Sequence, residues 1–305
     1  MASALATAAA EVGAAHGPVL AAGGPSRARH IGGRISLYVL VVLFSLFCAV
    51  PFYIALIMSF KSNTDLYHYG NNPFIFNQAP TVSHWTYLFN QTAFDTFALN
   101  TLLVGVCVVI ITLGLSLPAA YSLARLRLRF GGAMGVAIFF VYLIPPSLLF
   151  ISMSQVVATL HLQDTVWSMV VIYPTITIPV SVWMLMGFFR SVPKDIEEQA
   201  MVDGYSRLAA FRKVLLPLAY PGIVAVIVFA FTLSASEFIY ALAFVSSTAQ
   251  KTISIGVPTE LVRGDVFYWQ SLEAAAVVTA VPIAFMFNLF LNKFISGFTM
   301  GAVKG

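Results

Sequence analysis

The stretch Pro193-Lys-Asp-Ile-Glu-Glu-Gln-Ala-Met-Val-Asp-Gly-Tyr-Ser-Arg-Leu-Ala-Ala-Phe-Arg-Lys-Val-Leu-Leu-Pro217 concentrates charge between two long apolar runs. Read locally, it predicts two short helices with a break between them. Pro193 suits a first helical position, where its missing N–H is no loss and its φ is already set. Asp195, Glu197 and Glu198 follow in the first turn, where the helix dipole favours negative charge. Gly204 suits the left-handed residue that ends such a helix. Ser206 can cap a second helix, with Arg212 and Lys213 in its last turn. Pro217 then closes the unit, because it cannot continue the hydrogen-bond ladder. A water-facing helix–turn–helix between membrane-length runs is built to meet something outside the membrane. The plainer reading of the same residues is an interfacial hairpin basic enough to lie on anionic lipid.

Outward from this stretch, composition sets the class. Hydrophobic residues make up 59% of the chain, charged residues only 9%, and the mean hydropathy is +0.89. A soluble domain carries about 25% charged residues, so the chain reads as an all-α polytopic membrane protein. The net charge of +4 requires no nucleic-acid partner, because basic residues gather in cytoplasmic loops. Cys48 and Cys107 both lie inside apolar runs and suggest neither a disulfide framework nor a metal site.

Residues 1–35 are rich in Ala and Gly, with no Lys or Arg before Arg27 and no clean apolar core. That is not the pattern of a signal peptide; it reads as a disordered cytoplasmic tail. Six apolar runs follow within residues 36–300, each long enough for the roughly 20 residues a bilayer core requires. They cover about Ser36 to Met58, Phe97 to Ala124, Ala133 to Ala158, Thr165 to Phe189, Leu218 to Val245 and Ser271 to Ile295. Several contain proline, and Pro145-Pro146 is the place where a span is expected to break. Of the 16 Lys and Arg residues, 13 fall on one side of these spans and three, Lys61, Lys251 and Arg263, on the other. The positive-inside rule places both termini and the 193–217 loop in the cytoplasm. The opposite loop, from Lys61 to about Phe94, is polar and aromatic. Lys61 is expected on its surface, and Trp85 and Trp269 as headgroup anchors.

The spacing Glu198, Ala200, Gly204, then Val214-Leu-Leu-Pro217, resembles the EAA loop of ABC-importer membrane subunits, with Gln199 and Val214 as mild departures. Asp203-Gly204 fits the family as well. The resemblance extends over about residues 36 to 305 and is closest to the maltose-type, carbohydrate-uptake branch. Asn100-Thr101-Leu102, Ala119 to Arg125, Met186 to Phe189, Ser236-Glu237-Phe238 with Ala241-Leu242, and the terminus Gly301 to Gly305 carry it. It implies a type I importer permease fold: six transmembrane helices with a cytoplasmic coupling loop over residues 193–217. The implied ATPase-coupling residues are Glu198, Ala200, Asp203, Gly204 and Pro217. A C-terminal tail over residues 301–305, with Gly301 and Lys304, is similar to one that contacts the ATPase subunits. The implied partners are an ATP-binding subunit dimer, a second homologous permease, an extracytoplasmic solute-binding protein, a carbohydrate and membrane lipid. The family often has Trp-Asn where this chain has Ala235-Ser236.

Catalytic chemistry is not encoded. There is no Gly-x-x-x-x-Gly-Lys-Ser/Thr loop for phosphates, no His-Glu-x-x-His and no Cys cluster, so no catalytic residue, metal or cofactor is expected. The chain cannot hydrolyse ATP alone, so energy must come from a partner, a separate ATPase subunit as the resemblance implies, or from an ion gradient. The rival classes are an ABC permease for a non-sugar solute and an ion-coupled secondary transporter. The latter usually places several charges inside its spans, and here Glu237 alone lies well inside one. Glu237 reads either as a contact for a sugar hydroxyl in a wet cavity or as a protonated or paired brace between helices. Ser236, Tyr240 and Ser152 complete the candidate substrate pathway.

Overall fold

The computed structural model describes residues 27–126 and 129–302. They fall into two units, one up to Tyr53 and the other from Ile54 onward. Helix α1 (Arg27–Phe60) supplies the first unit and enters the second. The tail expected over residues 1–35 lies outside the described residues up to 26. From Arg27 it is already helical, because extending an existing helix gains one hydrogen bond for each residue ordered.

In the second unit, α2 (Asn63–Tyr67) and α3 (Ser83–Gln91) lead into α4 (Phe94–Arg125). Helices α5 (Gly131–Tyr142), α6 (Pro146–Thr159), α7 (Val166–Ile172) and α8 (Pro174–Ser191) follow. Next come α9 (Lys194–Val202), α10 (Arg207–Leu218), α11 (Tyr220–Ser236) and α12 (Ile239–Phe244). Helix α13 (Ile253–Leu261) precedes a small antiparallel hairpin, β1 (Val262–Arg263) and β2 (Val266–Phe267), and α14 (Trp269–Ala302) ends the described chain. Among the described residues, four helical segments are long and apolar enough to cross a membrane, or up to six if each of two bent pairs counts as one span. One such pair is α5 with α6, bent by 91° at Leu143 to Pro145, where the double proline predicted a break. The other is α10 with α11, bent by 75°.

Helix α4 is the axis of this unit. It is apolar on every side, yet its buried residues form one stripe: Phe97, Thr101, Val104, Gly105, Val108, Thr112, Ser116, Ala120 and Leu123. The stripe is made largely of small and hydroxyl residues, while Leu99, Leu102, Leu103, Val106, Ile110 and Leu115 are exposed. That inverts the pattern of a soluble helix. In lipid, large apolar side chains gain nothing by burial, and small residues let helices approach. Phe231 of α11 lies so close over Gly105 that a Cβ there would sit 2.6 Å from its ring. Hydroxyls supply the directional contacts: Thr112 and Thr177 share a 2.6 Å hydrogen bond, and Thr101 accepts one from Ile253 N at 2.9 Å. The stripe threads three core clusters in turn, starting with Phe94 and Phe97, passing Val104 and Val108, and ending with Ala120 and Leu123.

At the Phe94 end, the 61–82 loop is ordered by a buried polar cluster. Lys61, expected on the surface, is only 1% exposed. Its Nζ donates to Asn72 O at 2.9 Å and lies 3.7 Å from Asp65. A buried ammonium is tolerated because it is paired and hydrogen-bonded. Asp65 also accepts from Asn71 Nδ2, Asn77 N and Asn77 Nδ2. Burial pushes the Asp65 carboxyl up, but the Asn77 donors and the Lys61 charge outweigh it and hold the group below its usual range. Trp85, expected as a headgroup anchor, is half-buried. It stacks on Phe60 at 5.2 Å with its indole N–H buried, whereas Trp269 is exposed and stacks on Phe267. Asp164, at φ 55°, accepts from Ser246 N and from Ser247 N and Oγ. Ser247 and Ser246 donors bring its carboxyl down to about 2.

Candidate functional site

The charged stretch folds as two helices meeting at a glycine. Pro193 is the N-cap of α9, one position earlier than the sequence suggested, and Asp195 and Glu197 occupy the first turn. Asp203 is the C-cap, and Gly204 follows at φ +93°. Gly204 N–H donates to Met201 C=O at 3.2 Å and Tyr205 N–H to Ala200 C=O at 3.0 Å. This pair of bonds is the Schellman termination, which needs a left-handed residue at that position. Ser206 caps α10, its Oγ accepting from Ala209 N. Pro217 does not close the unit. A π-helical turn over Phe211–Leu215 precedes it, and α10 runs on to Leu218. The looser i→i+5 turn is one of the adjustments by which a helix accommodates a proline.

The hairpin has an exposed face and an anchored face. Glu198, Asp203, Gly204 and Pro217 are exposed, with Val202 88% exposed and Tyr205 and Leu208 also open. Those three apolar side chains were absent from the sequence reading, although large apolar residues in a charged helical loop are themselves a signal of a covered surface. Ala200 is buried, so the structure places it against the hairpin's own anchored side and not on the exposed face. Phe211 and Leu215 root α10 in the cluster formed by Ala120, Leu123, Leu185 and Phe189. The Phe211 ring lies 4.5 Å from Tyr121 and 6.1 Å from Phe189.

Glu197, the neighbour of the motif glutamate, is the anchor that sequence reasoning passed over. It is 7% exposed and accepts a short hydrogen bond from the Tyr121 hydroxyl. Its other oxygen is 3.5 Å from Arg125 Nε, one of two ion pairs among the described residues. Arg125 also donates from a terminal nitrogen to Val192 C=O at 2.8 Å. The available signal was Tyr121 and Arg125 four residues apart, on one face at the end of α4.

The candidate pathway residues are only partly brought together. Glu237 sits where α11 ends, and its carboxylate accepts from Tyr240 N at 3.0 and 3.1 Å and from Ala241 N at 3.1 Å. It thus caps the six-residue α12, and Ser254 Oγ donates to its freed carbonyl at 2.7 Å. No cation pairs with it among the described residues. Ser236 is exposed beside it, with its hydroxyl bonded back to Leu233 C=O. Tyr240 is packed into the core and stacked on Phe244. The buried Tyr173 hydroxyl lies near the Glu237 carboxylate without a hydrogen bond of ordinary geometry. Ser152 is exposed on α6. A cavity of about 670 Å³ between α5 and α8, lined by Gly132, Gly135, Trp183 and Gly187, contains none of these residues. No group of metal-ligating side chains occurs among the described residues. Gly301 lies inside α14, and Lys304 lies outside the described residues.

Residues 19–299 match the family model described as binding-protein-dependent transport system inner membrane component. The chain is 31% identical over 275 residues to the inner membrane ABC transporter permease protein YcjP of Escherichia coli (strain K12), covering 89% of this chain and 97% of that protein. It is 30% identical over 278 residues to the diacetylchitobiose uptake system permease protein DasC of Streptomyces coelicolor, covering 91% and 99%. Its fold is similar to a chain in the crystal structure of a bacterial ABC transporter involved in the import of the acidic polysaccharide alginate. The TM-score is 0.73 at 20% identity, over 89% of this chain and 99% of that one.

Proposed function

The chain belongs to the family of binding-protein-dependent transport system inner membrane components, and from that premise we propose that it forms half of the translocation pathway for a sugar or sugar-like solute. It is a multi-pass permease subunit of an ABC importer, a transport component and not an enzyme. Relatives named as a diacetylchitobiose uptake system permease and a trehalose/maltose transport system permease support the solute class. In this reading a second, related permease completes the pore and an extracytoplasmic binding protein delivers the solute. An ATPase dimer receives the α9–α10 hairpin. Closure of that dimer on ATP moves the hairpin, and the spans rock from inward-facing to outward-facing. The distribution of Lys and Arg supports a cytoplasmic hairpin, and hence cytoplasmic termini, with the Lys61-to-Phe94 loop outside. Glu237 and Ser236, at the break of the fifth span, are the proposed solute contacts of this chain. Residues 36–300 form the permease domain, and the segments before and after it, Lys304 included, belong to the ATPase side.

The observation that carries this reading is the hairpin itself: α9 is ended by a left-handed Gly204, and Glu198, Val202, Tyr205 and Leu208 are exposed. A Cβ at Gly204 would meet nothing within 4 Å, so Gly204→Val acts through backbone strain alone. Membrane insertion and abundance are expected to survive, while co-purification of the ATPase subunit and solute uptake fall together. Normal ATPase association and uptake in Gly204→Val would overturn the reading.

A further inference from the structure

We propose that Tyr121, Arg125 and Glu197 are the strut through which displacement of α9 reaches α4, which makes them positioning residues for the coupling of ATP hydrolysis to transport. The inference rests on the reading of the hairpin as the ATPase docking element. Along α9 only Glu197 and Ala200 are buried, three residues apart on one face. The Ala200 methyl is short, so the one long side chain that α9 sends inward is a carboxylate. It ends on two α4 residues a single turn apart, Tyr121 through a hydrogen bond and Arg125 through an ion pair. Two attachment points on one helix face oppose both sliding along α4 and rotation about it. The guanidinium also holds Val192 C=O, in the link that feeds α9 from α8. One arginine therefore ties both the helix and its entry to α4.

The rest of the hairpin is held differently. Helix α10 packs through Phe211 and Leu215, and apolar contact has no preferred direction. The Tyr121 hydrogen bond to the carboxylate and the Arg125 hydrogen bond to Val192 C=O are directional, and the 3.5 Å Arg125–Glu197 ion pair adds a short-range charge attraction. The Arg125 and Glu197 side chains are 3% and 9% exposed, so neither can exchange its partner for water without strong desolvation. When α9 is pushed, it must therefore carry α4 with it or leave buried charges unpaired. Helix α4 contributes to each of the three core clusters, so a displacement at its Arg125 end is delivered along the whole unit.

The test uses the full transporter, with both permeases, the ATPase dimer and the binding protein, in lipid vesicles. With Cys48 and Cys107 replaced by serine, spin labels at exposed Lys194 on α9 and exposed Leu115 on α4 report the distance between the helices. In the unsubstituted latch, one narrow distance is expected that does not change between the nucleotide-free and ATP–vanadate-trapped states. Glu197→Gln, Arg125→Gln and Tyr121→Phe should keep the ATPase subunit bound. Their trapped-state distance should broaden or shift, and stimulation of ATP hydrolysis by the binding protein should fall about fivefold or more. The double reversal Arg125→Glu with Glu197→Arg should restore the narrow distance. The proposal is overturned if the variants keep the original distance and stimulation, if that distance changes on trapping with the latch intact, or if the variants lose the ATPase. Failure of the docking reading looks different, because Gly204→Val would then leave ATPase binding unchanged.

Discussion

Glu237 looks like a lone membrane carboxylate in one dimension and behaves as a cap in three. Its oxygens accept from Tyr240 N and Ala241 N, so the carboxyl group stabilises a broken helix, next in the chain to exposed Ser236. The two roles separate by substitution. Glu237→Gln keeps one acceptor oxygen for the cap, so the amount of assembled complex should hold while solute uptake weakens. Glu237→Ala removes the cap as well and should destabilise by about 0.5–2 kcal/mol. Thermal unfolding of the purified complex and uptake kinetics measure the two effects. Unchanged uptake in both variants would leave Glu237 only its bracing role. Adjacent glutamates in the hairpin show the same divergence, with Glu198 in solvent and Glu197 buried against Tyr121. Neighbouring positions on a helix point about 100° apart, and nothing local to the pair says which one faces the bundle.

Among the elements, α4 explains why apolar runs do not announce their faces. Its buried stripe was present in the sequence as Thr101, Gly105, Thr112, Ser116 and Ala120, at spacings of four and seven residues. A run that is apolar all round hides this unless small and hydroxyl residues are read as the contact side. The packing at Gly105 provides the check. Gly105→Leu must displace the Phe231 ring, and overpacking of this kind costs about 1–3 kcal/mol. Gly114→Leu is the control, since a Cβ there meets nothing within 4 Å. A lower melting temperature is expected for the Gly105 variant alone. Equal melting of the two would show that α11 does not pack on α4 at this point. In the same way, Pro217 reads as a stop until the π turn before it is seen, because a proline's effect depends on the hydrogen bonds its neighbours can rearrange.

For the whole molecule, the sided distribution of basic residues predicts the topology. Asn90 is exposed on α3, in the loop assigned to the outside. In a background lacking Cys48 and Cys107, Asn90→Cys should react with an impermeant thiol reagent applied to intact cells. A reporter fused after Gly305 should be active only as an internal protein. Reaction at Asn90 only after lysis would reverse the orientation and remove the ATPase from reach of the hairpin.

The class of protein, the apolar runs, the break at Pro145-Pro146 and the hairpin that turns at Gly204 were all legible in the linear chain. They depend on local quantities: transfer of apolar residues into lipid, the φ a glycine allows and the hydrogen bond a proline lacks. The family motif was legible for the same reason, since its spacing lies within one short stretch. Which glutamate anchors the hairpin, where Lys61 is buried, and how the fifth span ends at a capped break were decided only by the tertiary structure. Lys61 finds Asp65 and Asn72, and Glu237 finds Tyr240 and Ala241, each within its own segment, but the bundle contacts join residues far apart in sequence. Tyr121 reaches Glu197 across 76 positions, Thr112 meets Thr177 across 65, and Ser254 finds the Glu237 carbonyl across 17. At membrane depth a buried polar group must find such a partner inside the protein, because the lipid offers none.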